Sequence, residues 1–350
     1  MRRFGLAARL CQDDGVERAY DVVMVTYGHE ETVARALEAV AAMRPAPERV
    51  VLVENHPAAG SAARAEAFAG RLPLEIVVPG TDTGFAGGFN LGLGRCGAPW
   101  VLSLNPDCAP EPEFTARLLA AAEEEDGAVT GRLVRGEGPA LEPRPVLDAA
   151  GMIVLPSGRH LDRGAGEPDD GRYGEPARVF GGTGAATLYR RAALDDVAYP
   201  DGQVMAESFH AFREDAELAW RLQWRGWSCR YEPSARAVHR RGLRPERGRG
   251  ANPRADRLSV RNRFLLRWHC ADAAWHVACF PWWALRDLAV IGACLTVERR
   301  SAGALAELWR LRHDAAARRR WVLGRARVPS RAVRRWFRRG GYVEPVERIR

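Results

Sequence analysis

The chain has 350 residues, 47% of them hydrophobic and 27% charged, and it contains no lysine, so all 52 non-histidine basic residues are arginine. That composition excludes a disordered chain, a collagen-like fibre and a small disulfide scaffold, and the length is enough to bury a core without metal or disulfide staples. Charge is uneven: residues 311–350 hold 13 arginines against Asp314, Glu344 and Glu347, which leaves residues 1–310 slightly acidic.

Taken in chain order, residues 1–20 read as an N-terminal extension without an apolar run long enough for a secretion signal. Residues 21–28 (DVVMVTYG), 49–55 (RVVLVEN) and 74–80 (LEIVVPG) are short apolar, β-branched runs and predict buried strands. Helical spacing occupies residues 30–43 and 60–70 between them. A Gly-rich helix entry follows at 85–96, then a strand at 98–107, a helix at 113–125 and a strand at 127–134. This alternation predicts a mostly parallel sheet flanked by helices. Residues 136–176, rich in Gly, Pro and Asp, predict loops and a small hairpin. A strand passing into a helix is expected over 179–194, a helix over 214–226, and short strands around Tyr231 and Val238. The Arg/Gly-rich stretch RRGLRPERGRG predicts a flexible connection near residue 250. Beyond it, residues 256–350 read as a basic helical region holding seven of the eleven tryptophans. The seven cysteines are scattered and form no C-x-x-C pair, which argues for reduced thiols in the cytoplasm and against structural zinc.

Ligands of open α/β sheets bind beyond the carboxyl ends of the strands. Those ends carry Thr26-Tyr27-Gly28, Glu54-Asn55, Asp82 ahead of the Gly-rich turn to Asn90, and Asn105-Pro106-Asp107. Each alone is an ordinary turn or cap; together they mark one cleft. The Gly-rich segment is neither a Rossmann fingerprint nor a Walker loop.

The succession VVMVTYG, VLVEN, TDTGFAGGFNLGLG, LSLNPD, GGTGAATLYRRAAL, REDAELAWRLQWRGW and ARAVHRRG resembles the inverting GT-A glycosyltransferases of family 2, in the bacterial rhamnosyltransferase and galactofuranosyltransferase-like branch. The resemblance covers residues 20–242. It implies an α/β GT-A nucleotide-sugar-binding domain over 21–250 with a C-terminal helical extension. It places donor binding at Thr26, Tyr27, Glu54, Asp82, Gly84, Asn90, Asn105 and Asp107, with Asn90 facing the diphosphate or bracing the loop. The family's D-x-D is here Asn105-x-Asp107, so Asp107 becomes the main ligand of a divalent cation, Mg2+ or Mn2+, and His239 the second. Glu214-Asp215 matches the family's E-D pair, with Asp215 the general base and Glu214 beside it. Glu54 stands where the family usually has Asp, which leaves the donor base open between dTDP- and UDP-sugars. None of the three glutamines begins the Q-x-x-R-W motif of processive synthases, which favours single-sugar addition.

The expected function is therefore transfer of rhamnose or a similar hexose to a glycan or lipid-linked glycan acceptor, in cell-envelope polysaccharide synthesis. A sugar nucleotidyltransferase is disfavoured by the acidic TYGHEET after the first strand, where a triphosphate loop would be basic. A nucleic-acid-binding protein would explain the arginine tail but not the carboxylates, which repel phosphate; no nucleic-acid partner is expected. The basic, Trp-rich C-terminal region predicts peripheral attachment to an anionic membrane surface on its inner face. Packing on the catalytic domain or a homo-oligomer contact is the alternative use of those helices.

Overall fold

The computed structural model describes residues 18–29, 31–56, 60–241 and 252–346. Most of the N-terminal extension, and residues 242–250 of the expected connection, lie outside them.

β1 (Tyr20–Thr26), β2 (Arg49–Glu54), β3 (Leu74–Val77) and β4 (Trp100–Leu104) pair in parallel in the order β3-β2-β1-β4. Side chains of β1 and β4 are buried on both faces, the condition under which a strand reads as a continuous apolar run. Helices α1 (Val33–Ala41), α2 (Ser61–Glu66) and α3 (Gly84–Leu93) supply the crossovers. All four strands therefore present their carboxyl ends to one edge. Past β4 the sheet turns mixed: β11 (Ala186–Arg190) runs antiparallel to both β4 and β6 (Asp126–Glu137), and β12 (Ser228–His239) lies parallel to β6. Helix α4 (Phe114–Ala121) precedes β6, and α5 (Arg191–Val197) follows β11 directly. The fold is thus the expected α/β arrangement, but the sheet is mixed and not mostly parallel: parallel pairing is found within β1–β4 and between β6 and β12.

Three elements depart from expectation. Residues 136–176 hold the expected hairpin, β8 (Met152–Val154) with β9 (His160–Asp162), but also an unforeseen strand, β7 (Glu142–Ala149), which joins the main sheet beside β6. Val179 ends a separate strand, β10 (Ala177–Val179), and does not belong to β11. The two short strands around Tyr231 and Val238 are one strand, β12, whose pairing with β6 shifts register between Glu232 and Arg236. Pro233, lacking an N–H, sits in that irregularity. A three-residue strand, β5 (Cys108–Pro110), pairs with the end of β12, and β13 (Glu344–Pro345) closes the far edge on β10.

The C-terminal region is helical: α7 (Pro253–Cys270), α8 (Ala273–Ala278), α9 (Phe280–Leu295), α10 (Gly303–Gly324) and α11 (Ser330–Arg334), with α6 (Glu214–Arg225) preceding it in the sheet domain. Asn252 caps α7 through Ala255 N, and Asp272 caps α8 through Trp275 N. One apolar cluster joins Phe180, Phe209 and Trp220 of the sheet domain to Phe264, Trp275, Trp336 and Phe337 of the C-terminal helices. Trp275 and Trp336 are among the largest fully buried side chains. They are core residues, so the expectation that this tryptophan set faces a membrane fails for both.

Candidate active site

The strand ends assemble a continuous polar strip. At the end of β2, Glu54 is buried; its Oε1 accepts from His56 N at 2.9 Å and its Oε2 has no partner. A buried carboxylate oxygen left unpaired is costly unless a ligand donor satisfies it. Thr26, at the end of β1, is buried with its hydroxyl 3.5 Å from Val53 O. Tyr27 is 47% exposed and stands edge-on to His56, ring centroids 4.9 Å apart.

Asn55 fastens the Gly-rich entry to this edge: its Nδ2 donates to Gly84 O at 2.8 Å and its Oδ1 accepts from the Thr83 hydroxyl at 2.7 Å. Gly84 has φ +70°, and a Cβ there would lie 2.3 Å from the carbonyl oxygen of His210, so only glycine permits this contact. Asp82 accepts from Gly84 N at 2.9 Å and pairs with Arg254 of α7 at 2.7 Å. Burial raises its pKa, but the Gly84 amide, Arg254 and His210 outweigh that and hold it below the usual value. Asn90 takes the bracing role: its amide donates to Met205 O and Glu207, and its Oδ1 accepts from Val204 N and Met205 N. Those four bonds occupy the side chain and correct the expectation of a diphosphate contact.

The next links run from β4 to α6. Asn105 N donates to Ala185 O at 2.8 Å, and the adjoining Gly184 N donates to Asp215 Oδ2 at 3.1 Å. Ala216 N donates to Asp215 Oδ1 at 2.7 Å. The Gly184–Ala185 turn is thus bonded to Asn105 on one side and to Asp215 on the other. Glu214 is buried while Asp215 keeps partial access to solvent. Burial, reinforced by Asp215, pushes Glu214 well above the ordinary range. Burial and the Asp162 charge raise Asp215 to about 6. Of the two, Glu214 therefore holds its proton more tightly than an exposed carboxyl, and Asp215 ionises as pH rises through about 6.

Behind Asp107, pairing of β12 with β5 sets His239 opposite Cys108. His239 Nε2 lies 3.2 Å from Asp107 Oδ1, and its Nδ1 lies 2.7 Å from Asp148 of β7. Burial alone would lower the imidazole, but the two carboxylates raise it to about 10. Burial raises Asp107, yet His239 holds it down at about 2. Arg241 extends the network by pairing with Asp148 at 2.8 Å and with Asp162. Among the described residues no group of three or more His, Cys, Asp or Glu side chains forms a metal cluster. Asp107 and His239 together offer one carboxylate and one imidazole.

Sequence reasoning missed Asp148, Asp162 and the residues that hold the E-D pair. His210, Phe212 and Arg213 all have positive φ, at 63°, 71° and 73°. This strained run leads straight into Glu214. Asn262 of α7 fixes it by donating to the carbonyls of Phe209, Ala211 and Phe212 at 2.9, 2.8 and 2.8 Å. Arg261 adds bonds to Ser208 O and Phe209 O. No local motif announces such long-range partners.

The family model described as Glycosyl transferase family 2 matches residues 21–198, just over half of the chain. The chain belongs to glycosyl transferase family 2. Solved structures share the fold of this family 2 chain. GalNAc-T7, crystallised with UDP, GalNAc and Mn2+, aligns with a TM-score of 0.53 at 14% identity, over 73% of this chain and 48% of that one. This chain thus spans about half the length of GalNAc-T7. S. aureus TarS 1–349 in complex with UDP-GlcNAc aligns with a TM-score of 0.51 at 16% identity, over 87% of this chain and 89% of that one. The mannosyltransferase PcManGT from Pyrobaculum calidifontis, in complex with GDP-Man and Mn2+, gives 0.50 at 14% identity, over 87% and 85%. At such identities the likeness is one of fold. Among curated proteins none matches the chain.

Proposed function

We propose that this family 2 chain is a non-processive, inverting, metal-dependent glycosyltransferase. It moves rhamnose or a similar hexose from a dTDP- or UDP-sugar to a hydroxyl of a glycan or lipid-linked glycan, in the cytoplasm, for cell-envelope polysaccharide. The observation that carries the reading is the link Asn105–Ala185–Gly184–Asp215, which joins the N-x-D turn to the E-D pair. It supports reading residues 105–107 as the leaving-group end and Asp215 as the base end of one cleft.

On this reading the unpaired Glu54 oxygen receives a donor hydroxyl or base N–H, and Tyr27 with His56 provides an aromatic wall for the nucleoside. Asp107 and His239 would hold a divalent cation once it displaces the proton that the two carboxylates keep on the imidazole, with Asp148 orienting the ring from behind. A cation held there would neutralise charge on the departing diphosphate. Asp215, the ionised member of the pair, takes the proton from the acceptor hydroxyl as that oxygen attacks the anomeric carbon from the face opposite the leaving group. Glu214 lies beside it, its carboxyl pushed up by burial and by the Asp215 charge.

A donor screen tests this proposal. The full chain is incubated with Mn2+ or Mg2+ and individual nucleoside-diphosphate sugars, and released nucleoside diphosphate is scored. Release with at least one donor is expected. Release of diphosphate from a nucleoside triphosphate and a sugar 1-phosphate, with no turnover of any sugar nucleotide, would assign the cleft to a nucleotidyltransferase instead.

A further inference from the structure

Eight of the twelve large hydrophobic side chains exposed among the described residues lie between Val277 and Trp309. All but Trp309, on α10, cluster on α8, α9 and the turn that follows. From Ala273 to Val297 every exposed residue is uncharged, and Thr296 is the only polar one. Leu285, Leu288, Gly292 and Leu295 recur at helical spacing on the outer face of α9, with the leucines 66%, 69% and 59% exposed. Val290 and Cys294 form the inner face, buried against the shared core. α9 is therefore apolar on both sides, which a helix bathed in water avoids. A patch of this kind marks an interaction site.

The surrounding charge selects the occupant. Residues 252–346 carry twenty arginines against seven carboxylates. None of those seven is exposed: Asp287 pairs with Arg267, Asp314 with Arg318 and Glu344 with Arg335, for example. Arginines frame both ends of the apolar face. Arg339 covers the Trp282 ring at 4.0 Å at one end, and exposed Arg299 and Arg300 follow Val297 at the other. Among the described residues no single helix is long and apolar enough to cross a membrane. A 16-residue helix of about 24 Å, apolar outward and ringed by arginine, matches a helix lying within a bilayer interface.

We infer that α8 and α9 dock this protein on an anionic phospholipid surface, with Val277, Phe280, Leu285, Leu288, Leu295 and Val297 entering the acyl boundary and the flanking arginines meeting headgroup phosphates. The contact is chiefly apolar insertion, strengthened by charge. This differs from an electrostatic arm formed by the terminal arginines, because Arg318, Arg325 and Arg335 are engaged with Asp314, Asp196 and Glu344. It is independent of the sugar donor, so failure of the donor screen leaves it standing.

Vesicle flotation of the full chain tests the inference. With phosphatidylcholine vesicles containing phosphatidylglycerol, the protein floats; with phosphatidylcholine alone, binding is weaker. Leu285→Asp combined with Leu288→Asp lowers the partition at least tenfold, while Val78→Asp, at a site exposed elsewhere, leaves it unchanged. Thermal melts of each variant confirm that folding is intact, since both leucines are mostly exposed. Salt weakens binding without abolishing it. The inference is overturned if the native chain fails to float with anionic vesicles, or if the double variant floats as the native chain does. It is equally overturned if sedimentation shows a native dimer that the double variant dissociates and neither form binds vesicles, which would make a second copy the occupant.

Discussion

Burial gives Asp215 two opposed effects. With its pKa raised to about 6, the carboxylate is a stronger base than an exposed aspartate, and the rate of transfer should climb with pH through about 6. The same shift works against the fold. The folded state holds this proton more tightly than the unfolded chain, whose value is 3.8, so the stability it confers is complete below that value and is lost as pH rises through about 6. Asp215→Asn should therefore cut turnover by about 10²–10⁴ while donor affinity stays within a few-fold. At pH 7.5 it should also raise stability by about 1–3 kcal/mol, the partial exposure of the side chain keeping the gain small. Turnover close to normal would move the base to Glu214. Asp148 offers a different test. Replacing it with Asn removes the anion behind His239 and should weaken Mn2+ dependence of donor binding by about 10–100-fold, read by metal titration. Activity unchanged in excess chelator would remove the cation from the site altogether. Glu54 and Asp107 stood out because they sit in short motifs at strand ends, and the E-D pair because it opens a helix. Asp148 was not, since nothing local marks a residue whose partner His239 is 91 positions away.

At the scale of elements, catalytic geometry depends on the strained run 210–213 and on what restrains it. Non-glycine residues at positive φ cost about 1–3 kcal/mol each, so the run persists only while its surroundings hold it. Asn262→Ala removes the side-chain donor from the Ala211 and Phe212 carbonyls, while Arg261 still reaches Phe209 O, and should cost about 2–3 kcal/mol of stability. Its transfer rate should fall more than its donor affinity, because the loop leads directly into the proposed base, Asp215, and touches the proposed donor side only through His210. Asn262→Asp, equal in shape but without the amide donors, should be comparably damaging; normal activity in both variants would show that the strain is held elsewhere. Gly84→Ala should disturb the same loop from the opposite side, through the His210 carbonyl. Periodicity located β1, β2, β4 and α6 because their burial repeats locally. It missed β7, whose Pro143 and Pro145 read as turn residues. A sheet edge tolerates them, because an outward-facing N–H is not needed there.

Across the whole molecule, one apolar cluster crosses the boundary expected near residue 250. Calorimetry should accordingly show a single unfolding transition, and Trp220→Ala should lower stability by about 3–5 kcal/mol. Two separated transitions would establish independent domains. Composition foretold a basic, helical C-terminal region but not where its tryptophans point, because an amphipathic pattern is the same whether its apolar side meets protein or lipid. Helix α7 connects the molecule's two working surfaces. Arg254 reaches Asp82 beside the donor pocket, Asn262 pins the loop before the base, and Arg267 grips Asp287 of α9 at 2.5 Å. From residue 254 to residue 267 the axis advances about 20 Å. α7 is thus a ruler: on the docking inferred above, it fixes how far the base stands from the bilayer, and so the length of stalk on which an acceptor must present its hydroxyl.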